Sequence, residues 1–269
     1  MYIKVDGHTH TEFCPHGNGD YAEEMIIRAI EYGYDSYSIT EHAPLPKNLL
    51  NSSDISKVYD LDEFNMKSSD LPYYFKEMNR LKVKYKDRIK INVGFEFDYF
   101  EDYEIELRDF LEEYHSLIDD ALISIHFMPG NGGLRAVDYS AEDFGDGLLD
   151  YYGSFKELEK AYLNLISKLI YADLGRYKPN RIGHISLYKK FILYDYKRDF
   201  GSIKDSKLPD DLIRQILHSD MVLDFNQSGF RKKYLQDSYP PRNEMPDLLR
   251  KGVKFYLGSD AHGVEDLVK

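Results

Sequence analysis

Seven of the nine histidines, with one glutamate and one aspartate, follow short apolar runs that have the character of β-strands. In His8-Thr9-His10 both imidazoles lie on one face if the backbone stays extended, and Asp260-Ala261-His262 repeats this spacing. Imidazole nitrogens and carboxylate oxygens are ligands for Zn, Mn and Fe. The whole set exceeds what one ion can bind, so the sequence predicts two or three divalent metal ions. The candidate ligands are His8, His10, His16, His42, Glu96, His126, His184, Asp260 and His262.

A lone histidine at a strand end is more often a hydrogen-bonded structural residue than a ligand. The recurrence of histidines at strand ends along the whole chain is what favours a metal cluster. His115 and His218 fall inside predicted helices and are interpreted as structural or surface residues. Cys14 is the only cysteine, which excludes an internal disulfide, and it is interpreted as a bystander thiol.

Alternating strands and amphipathic helices must position these residues. The strands are predicted at Tyr2–Val5, Ser36–Thr40, Lys90–Phe95, Leu122–Ser124, Arg181–Gly183, Met221–Phe225 and Lys254–Leu257. The helices are predicted at Tyr21–Tyr32, Tyr73–Tyr85, Tyr103–Ile118, Ser154–Tyr171 and Leu208–His218. This alternation predicts a parallel sheet, open or closed into a barrel. In a barrel the carboxyl ends of the strands form one ring, where active sites lie. Asn48–Leu71 and Phe127–Gly153 are interpreted as long loops.

The chain has 269 residues and a formal charge of −12, with a sequence pI near 5.2. This length fits a single domain spanning 1–269. The acidic balance argues against a nucleic-acid partner, which needs a basic surface. No stretch approaches the roughly 20 apolar residues of a membrane helix, and the first residues lack the apolar run of a secretion signal. We therefore expect a cytoplasmic protein without a membrane partner.

The order of these residues resembles the PHP (polymerase and histidinol phosphatase) family, from His8-Thr9-His10 to Ser259-Asp260-Ala261-His262. The resemblance implies a distorted seven-stranded (β/α)7 TIM-like barrel. Within the family the chain looks most like the histidinol-phosphate phosphatases, on segments such as Cys14-Pro15-His16-Gly17, Thr40-Glu41-His42-Ala43-Pro44 and Asn226-Gln227-Ser228-Gly229-Phe230-Arg231. This implies hydrolysis of the small phosphate monoester L-histidinol phosphate, in histidine biosynthesis.

The resemblance also implies a division of the ligands among three ions. His8, His10, Glu96 and Asp260 would hold one, Glu96, His126 and His184 a second, and His16, His42 and His262 a third. A hydroxide bridging two metals is the hypothesised nucleophile, since metal binding lowers the pKa of water to about 7. No side-chain nucleophile is then needed.

Charged residues near the strand ends are candidates for binding the substrate. Arg231, Lys189 and Arg135 are predicted to hold the phosphate, although Lys189 stands where the family pattern has an arginine. Glu41 and Asp98 are predicted either to bind the imidazole and amine of the substrate or to orient a ligand histidine.

Two alternatives remain open at this point. One is another phosphoesterase of the same family, acting on nucleotides, DNA or phosphotyrosine. The other is a metal-binding barrel that regulates a partner and has no activity. The sequence leaves the metal identity, the general acid and the oligomeric state undetermined.

Overall fold

Seven parallel strands form the centre of the molecule in a computed structural model that describes residues 4–269. They are β1 (Val5–Asp6), β2 (Ser36–His42), β3 (Lys90–Asp98), β4 (Asp120–Ser124), β7 (Arg181–Ile182), β8 (Val222–Asn226) and β9 (Phe255–Gly258), paired in that order. The first and last strands meet, since the Gly7 amide donates to the Leu257 carbonyl at 2.8 Å and the His10 amide to the Ala261 carbonyl at 2.8 Å. The sheet is thus nearly closed, and the predicted distorted seven-stranded barrel is confirmed.

Strand β3 shows how one strand serves both the core and the barrel interior. Successive side chains point to opposite faces of a sheet. Phe95 and Phe97 face outward, and their rings lie 5.7 and 5.6 Å from that of Phe110. Asn92 and Glu96, on the opposite face, are buried inside the barrel. The apolar face therefore holds the helices in place, while the inward face is free to carry polar groups.

Helices separate the strands and cover the barrel. They are α1 (Ala22–Glu31), α2 (Lys47–Leu50), α3 (Leu71–Tyr85), α4 (Glu104–Tyr114), α5 (Ala141–Asp143), α6 (Asp150–Tyr152), α7 (Phe155–Tyr171), α8 (Asp210–His218) and α9 (Met245–Lys251). Helix α7 illustrates how the ends are fixed. The Ser154 hydroxyl accepts the Glu157 amide at its start. The Lys178 ammonium donates to the carbonyls of Leu169, Ile170 and Ala172 at its end.

The prediction that Phe127–Gly153 is a loop is wrong. It contains the hairpin β5 (Phe127–Gly130) and β6 (Gly133–Ala136), followed by helical turns through α5, a π-helical stretch and α6. The signal for the hairpin is the Asn131-Gly132 pair, because glycine adopts the positive φ of +81° found there. The stretch 48–71 also contains short helical turns, and its Ile55 bridges to Leu134 of the hairpin. The two excursions therefore form one wall beside the barrel.

Other sequence boundaries differ by small amounts. Of the predicted strand Tyr2–Val5, Tyr2 and Ile3 lie outside the described residues, and the strand continues to Asp6. Helix α9 was not predicted, because its seven residues are too few for a clear periodic pattern. Among the described residues, no helix is long and apolar enough to cross a membrane.

Candidate metal centre

All nine predicted ligands meet at the carboxyl end of the barrel. Glu96 lies near the end of β3 and the others end or follow a strand, so the parallel arrangement alone brings them to one side. Most are buried: His8 and His10 are 0 % exposed and Glu96 is 1 % exposed. Asp260 and His262 are partly exposed, and His16 lies in an exposed turn after β1.

Glu96 lies at the middle of the cluster, and its two oxygens face different histidines. The Oε2 atom lies 3.1 Å from His8 Nε2 and 3.4 Å from His10 Nε2. The Oε1 atom lies 2.8 Å from His184 Nε2 and 3.5 Å from His126 Nε2. A carboxylate placed in this way is suited to bridge two cations.

Asp260 joins the cluster from the segment that follows β9. Its Oδ1 atom lies 3.5 Å from His10 Nε2 and 3.8 Å from His8 Nε2. Its other oxygen accepts hydrogen bonds from the Asn226 amide at 3.1 Å and the Ser228 hydroxyl at 2.9 Å. The backbone of Asp260 has a φ of +51°, an uncommon value for a residue with a side chain. The hydrogen bonds and the backbone together hold this carboxylate toward the histidines.

A third group lies nearer the surface. His16 Nε2 and His262 Nε2 are 3.2 Å apart, and the His42 ring packs against both. His16 is oriented through its other nitrogen, since Nδ1 lies 3.1 Å from the Glu63 carbonyl. The long excursion after β2 therefore positions one of the candidate ligands.

The donor set fits divalent metal ions. Zinc binds imidazole and carboxylate at about 2.0–2.2 Å, which separates neighbouring ligand atoms by roughly 3–3.5 Å. The facing ε nitrogens of His8 and His10 are 3.1 Å apart, and those of His126 and His184 are also 3.1 Å apart. The buried Nε2 atom of His42 has no hydrogen-bond partner within residues 4–269. A cation between these groups satisfies atoms that would otherwise be buried without a partner.

Two carboxylates behind the cluster orient ligand histidines. Asp98 Oδ1 lies 2.6 Å from His126 Nδ1. Glu41 Oε2 lies 3.8 Å from His10 Nδ1, beyond hydrogen-bond distance, and the other Glu41 oxygen accepts the amide and the hydroxyl of Thr11. Asp224, which the sequence reasoning missed, lies 2.7 Å from His8 Nδ1. Such contacts fix the tautomer and ring orientation of a ligating histidine. The available signal for Asp224 was its position two residues before Asn226, on the inward face of β8.

The environment shifts the pKa values of these groups in both directions. Burial raises the pKa of Glu41 to about 7. Burial also raises the pKa of Glu96, but the nearby His8, His126 and His184 outweigh it and hold that pKa well below its usual range. Burial lowers the pKa of His126, whereas Asp98 and Glu96 outweigh it and raise the pKa to about 10. The cluster thus keeps Glu96 ionised, as a metal ligand must be.

A cavity of about 520 Å³ opens above the cluster. Its walls include Phe64, Phe127 and Tyr139 from the two excursions. Its lysines are Lys190 and Lys232, neither of which was predicted as a phosphate-binding residue. This size suits a small molecule, and both charges suit an anion.

The three predicted phosphate-binding cations point elsewhere. The Lys189 ammonium is buried, donating to the Ser206 carbonyl at 2.7 Å and lying 3.7 Å from Glu244. Arg135 is buried in the wall of the excursions, 3.1 Å from Asp143. Neither residue lines the cavity, as its predicted role in phosphate binding would require, because neighbouring carboxylates hold both inside the fold.

Arg231 also lies outside the cavity lining. Its guanidinium pairs with Asp266 at 3.0 Å and donates to the carbonyls of Ser259 and Asp260 at 3.0 Å. Its contacts support the backbone that carries Asp260, so it belongs to the frame of the cluster rather than to the wall of the cavity.

The closed parallel sheet and the cluster at the carboxyl ends of its strands define a barrel of the kind that holds divalent metal ions. The PHP domain pattern matches residues 6–228, and the chain belongs to this family. Histidinol-phosphatase of Bacillus subtilis is 34% identical over 265 residues, covering 98% of this chain and 95% of that protein.

Two solved structures are similar to this fold. A protein of Listeria monocytogenes assigned as a histidinol phosphatase has a TM-score of 0.90 and 42% identity, covering 99% of this chain and 98% of that one. Histidinol phosphate phosphatase of Lactococcus lactis, complexed with zinc, L-histidinol and phosphate, has a TM-score of 0.68 and 19% identity. The superposed part covers 97% of this chain and 87% of the Lactococcus lactis chain, and the likeness shows the shared fold.

Proposed function

We propose that this protein hydrolyses L-histidinol phosphate to L-histidinol and phosphate, with divalent metal ions bound at the cluster around Glu96. The observation that carries the proposal is the 34% identity to the Bacillus subtilis histidinol-phosphatase across 98% of the chain. The site agrees chemically, since metal ligands and two lysines line one cavity of small-molecule size. Residues 1–269 are taken as one catalytic barrel domain.

The two-sided contacts of Glu96 support a bridged pair of ions, with a third nearer the surface. We assign the ions as zinc, manganese or iron, all of which accept this donor set. Bound there, they would supply Lewis acidity toward water and the phosphoryl oxygens. The three ligand groups are His8, His10, Glu96 and Asp260; Glu96, His126 and His184; and His16, His42 and His262.

Lys190 and Lys232 are the residues we assign to the phosphate. Lys190 Nζ lies 3.0 Å from Asp138 Oδ2, so its position is set by a neighbour that also lines the cavity. Lys232 is half-buried, and burial lowers its pKa. A bound phosphate dianion offsets the positive charge of both ammonium groups and accepts hydrogen bonds from them.

The other end of the substrate carries an imidazole and an ammonium group. We assign it to the side of the cavity formed by Phe64, Tyr139 and Asp138. The two aromatic rings pack with centroids 5.8 Å apart and present an apolar surface to an imidazole. The carboxylate of Asp138 suits the ammonium group, while Asp98 is assigned to orienting His126.

The test is phosphate release from L-histidinol phosphate by purified protein, with p-nitrophenyl phosphate as the generic substrate and chelated protein as the blank. We expect strong preference for L-histidinol phosphate and complete loss with the chelator. Equal, slow turnover of both substrates contradicts the assignment of the substrate. No turnover by metal-loaded protein contradicts the assignment of an enzyme.

Lys232→Met tests the phosphate contact, with the adjacent Lys233→Met as its matched control, because Lys233 is exposed and does not line the cavity. Losing one charge-assisted contact costs about 1.5–3 kcal/mol, which lowers kcat/KM roughly ten- to a hundredfold. The Lys233 variant should retain the original kcat/KM. An equal effect of both variants contradicts the role of Lys232.

A further inference from the structure

Asn65 presents one unused acceptor to the cavity above the metal cluster. Both hydrogens of its side-chain amide are already used, since Nδ2 donates to the Ala43 carbonyl at 2.8 Å and to Asp98 Oδ2 at 2.9 Å. Both partners are acceptors, so the amide group fits in only one orientation. Its Oδ1 atom accepts no hydrogen bond from residues 4–269, and it is not among their buried side-chain atoms that lack a partner. Because Asn65 lines the cavity, this oxygen is the polar group that it offers to a ligand.

The segment that carries this oxygen is held against the end of β2. The Met66 amide donates to the His42 carbonyl at 3.2 Å, and only 5% of Asn65 is exposed. Asp98, which accepts from the Asn65 side chain, lies 2.6 Å from His126 Nδ1. The acceptor is therefore fixed relative to the metal cluster, as a group that selects a ligand must be.

The donors of the proposed substrate match this oxygen. Besides its phosphate, L-histidinol phosphate carries an ammonium group and one imidazole N–H. The ammonium group is a cation and is best matched by the carboxylate of Asp138, which lines the same cavity. The imidazole N–H is a neutral donor, for which a neutral amide oxygen is a suitable acceptor. Asn65 also directly follows Phe64, whose ring lies with that of Tyr139 on the side of the cavity assigned to the imidazole.

We propose that Asn65 Oδ1 accepts a hydrogen bond from the imidazole N–H of L-histidinol phosphate and so selects substrates that carry this donor. The inference rests on the proposed function and names the residue that recognises the ring. When a ring without an N–H fills the cavity, it covers the oxygen and leaves it without a partner. An acceptor left unpaired in this way weakens binding roughly ten- to a hundredfold.

The test compares L-histidinol phosphate with its thiazole analogue, in which a 4-thiazolyl ring of similar size replaces the imidazole and carries no N–H. In the original metal-loaded protein we expect kcat/KM to be roughly ten- to a hundredfold higher for L-histidinol phosphate. In Asn65→Ala this ratio should fall close to one. Asp224→Asn is the control, because it alters a different carboxylate behind the cluster, 2.7 Å from His8 Nδ1. It should slow the turnover of both substrates and leave the ratio unchanged.

A second measurement needs neither turnover nor a variant. Calorimetry compares the binding of L-histidinol and of its thiazole analogue to the original metal-loaded protein with inorganic phosphate present, and we expect the same preference for L-histidinol. Equal affinities, or an unchanged ratio in Asn65→Ala, overturn the proposal, because lost support of Asp98 would slow both substrates alike. Turnover of L-histidinol phosphate with equal affinities rejects the role of Asn65 alone, whereas preferential binding of L-histidinol without turnover rejects the proposed function alone. Absence of both binding and turnover rejects both.

Discussion

Replacing Lys189 by methionine should destabilise the protein and leave substrate binding unchanged. Lys189 is 2% exposed, and its ammonium donates to the Ser206 carbonyl at 2.7 Å and lies 3.7 Å from Glu244 Oε1. Glu244 is 3% exposed and accepts the Leu208 amide at 3.0 Å. The pair therefore ties the segment before α8 to the start of α9, away from the cavity.

The magnitude follows from what the substitution leaves behind. Methionine keeps most of the volume but leaves the Glu244 carboxylate buried without its partner. Removing one member of a buried ion pair costs about 3–5 kcal/mol. A domain has roughly 5–15 kcal/mol of stability in all. At about 2–4 °C per kcal/mol for a large domain, the loss predicts a Tm lower by roughly 6–20 °C.

The loss of stability in the Lys189→Met variant, which is called the deficit below, should depend on pH. Burial raises the pKa of Glu244, and Lys189 opposes that rise. Without Lys189 the folded-state pKa lies further above the unfolded value, so the folded variant binds a proton more tightly than the unfolded chain does. The deficit is then smallest below the unfolded pKa and grows as pH rises through the folded pKa. It should be smaller at about pH 5 than at about pH 8.

Thermal unfolding and phosphate release together make the assay, with the adjacent Lys190→Met as the matched control. Lys190 lines the cavity, so its variant should lower kcat/KM with a smaller change in Tm. The reasoning is refuted if Lys189→Met unfolds at the original temperature and raises KM, because Lys189 would then face the substrate.

Three further perturbations test other parts of the structure. Asp224→Asn removes the carboxylate 2.7 Å from His8 Nδ1 and should lower metal affinity roughly 10–100-fold in competition with a chelating dye; unchanged affinity contradicts its orienting role. Lys178→Met leaves three carbonyls at the end of α7 without their donor and should cost about 1–3 kcal/mol in urea unfolding. The exposed Lys160→Met, in the same helix, should change stability by less than about 0.5 kcal/mol, and equal losses speak against the cap. Chelation should lower the Tm reversibly, because a ligand at a hundred times its Kd contributes about 2.7 kcal/mol; a Tm indifferent to metal contradicts a preformed site.

The positions of the strands along the chain and the nine candidate ligands were predictable because both follow local patterns. A buried parallel strand is a short apolar run, and the ligands come directly after such runs. Glu96, for example, needs only the strand Lys90–Asp98 to place it inside the barrel, since side chains alternate along a strand. The hairpin at Asn131-Gly132 carried a similar local signal, although the sequence analysis took its surroundings for a loop.

The sequence by itself therefore determined that strands and helices alternate in a parallel sheet, and on which side of that sheet the histidines and carboxylates gather. Only the tertiary structure decided which charged groups face the cavity. Lys189 and Lys190 are neighbours in a tight turn, so their side chains leave the backbone in different directions, one to buried Glu244 and the other to Asp138 at the cavity. Asp224 reaches His8 across 216 positions of the chain. Such pairings depend on how distant segments pack, which no local pattern of residues records.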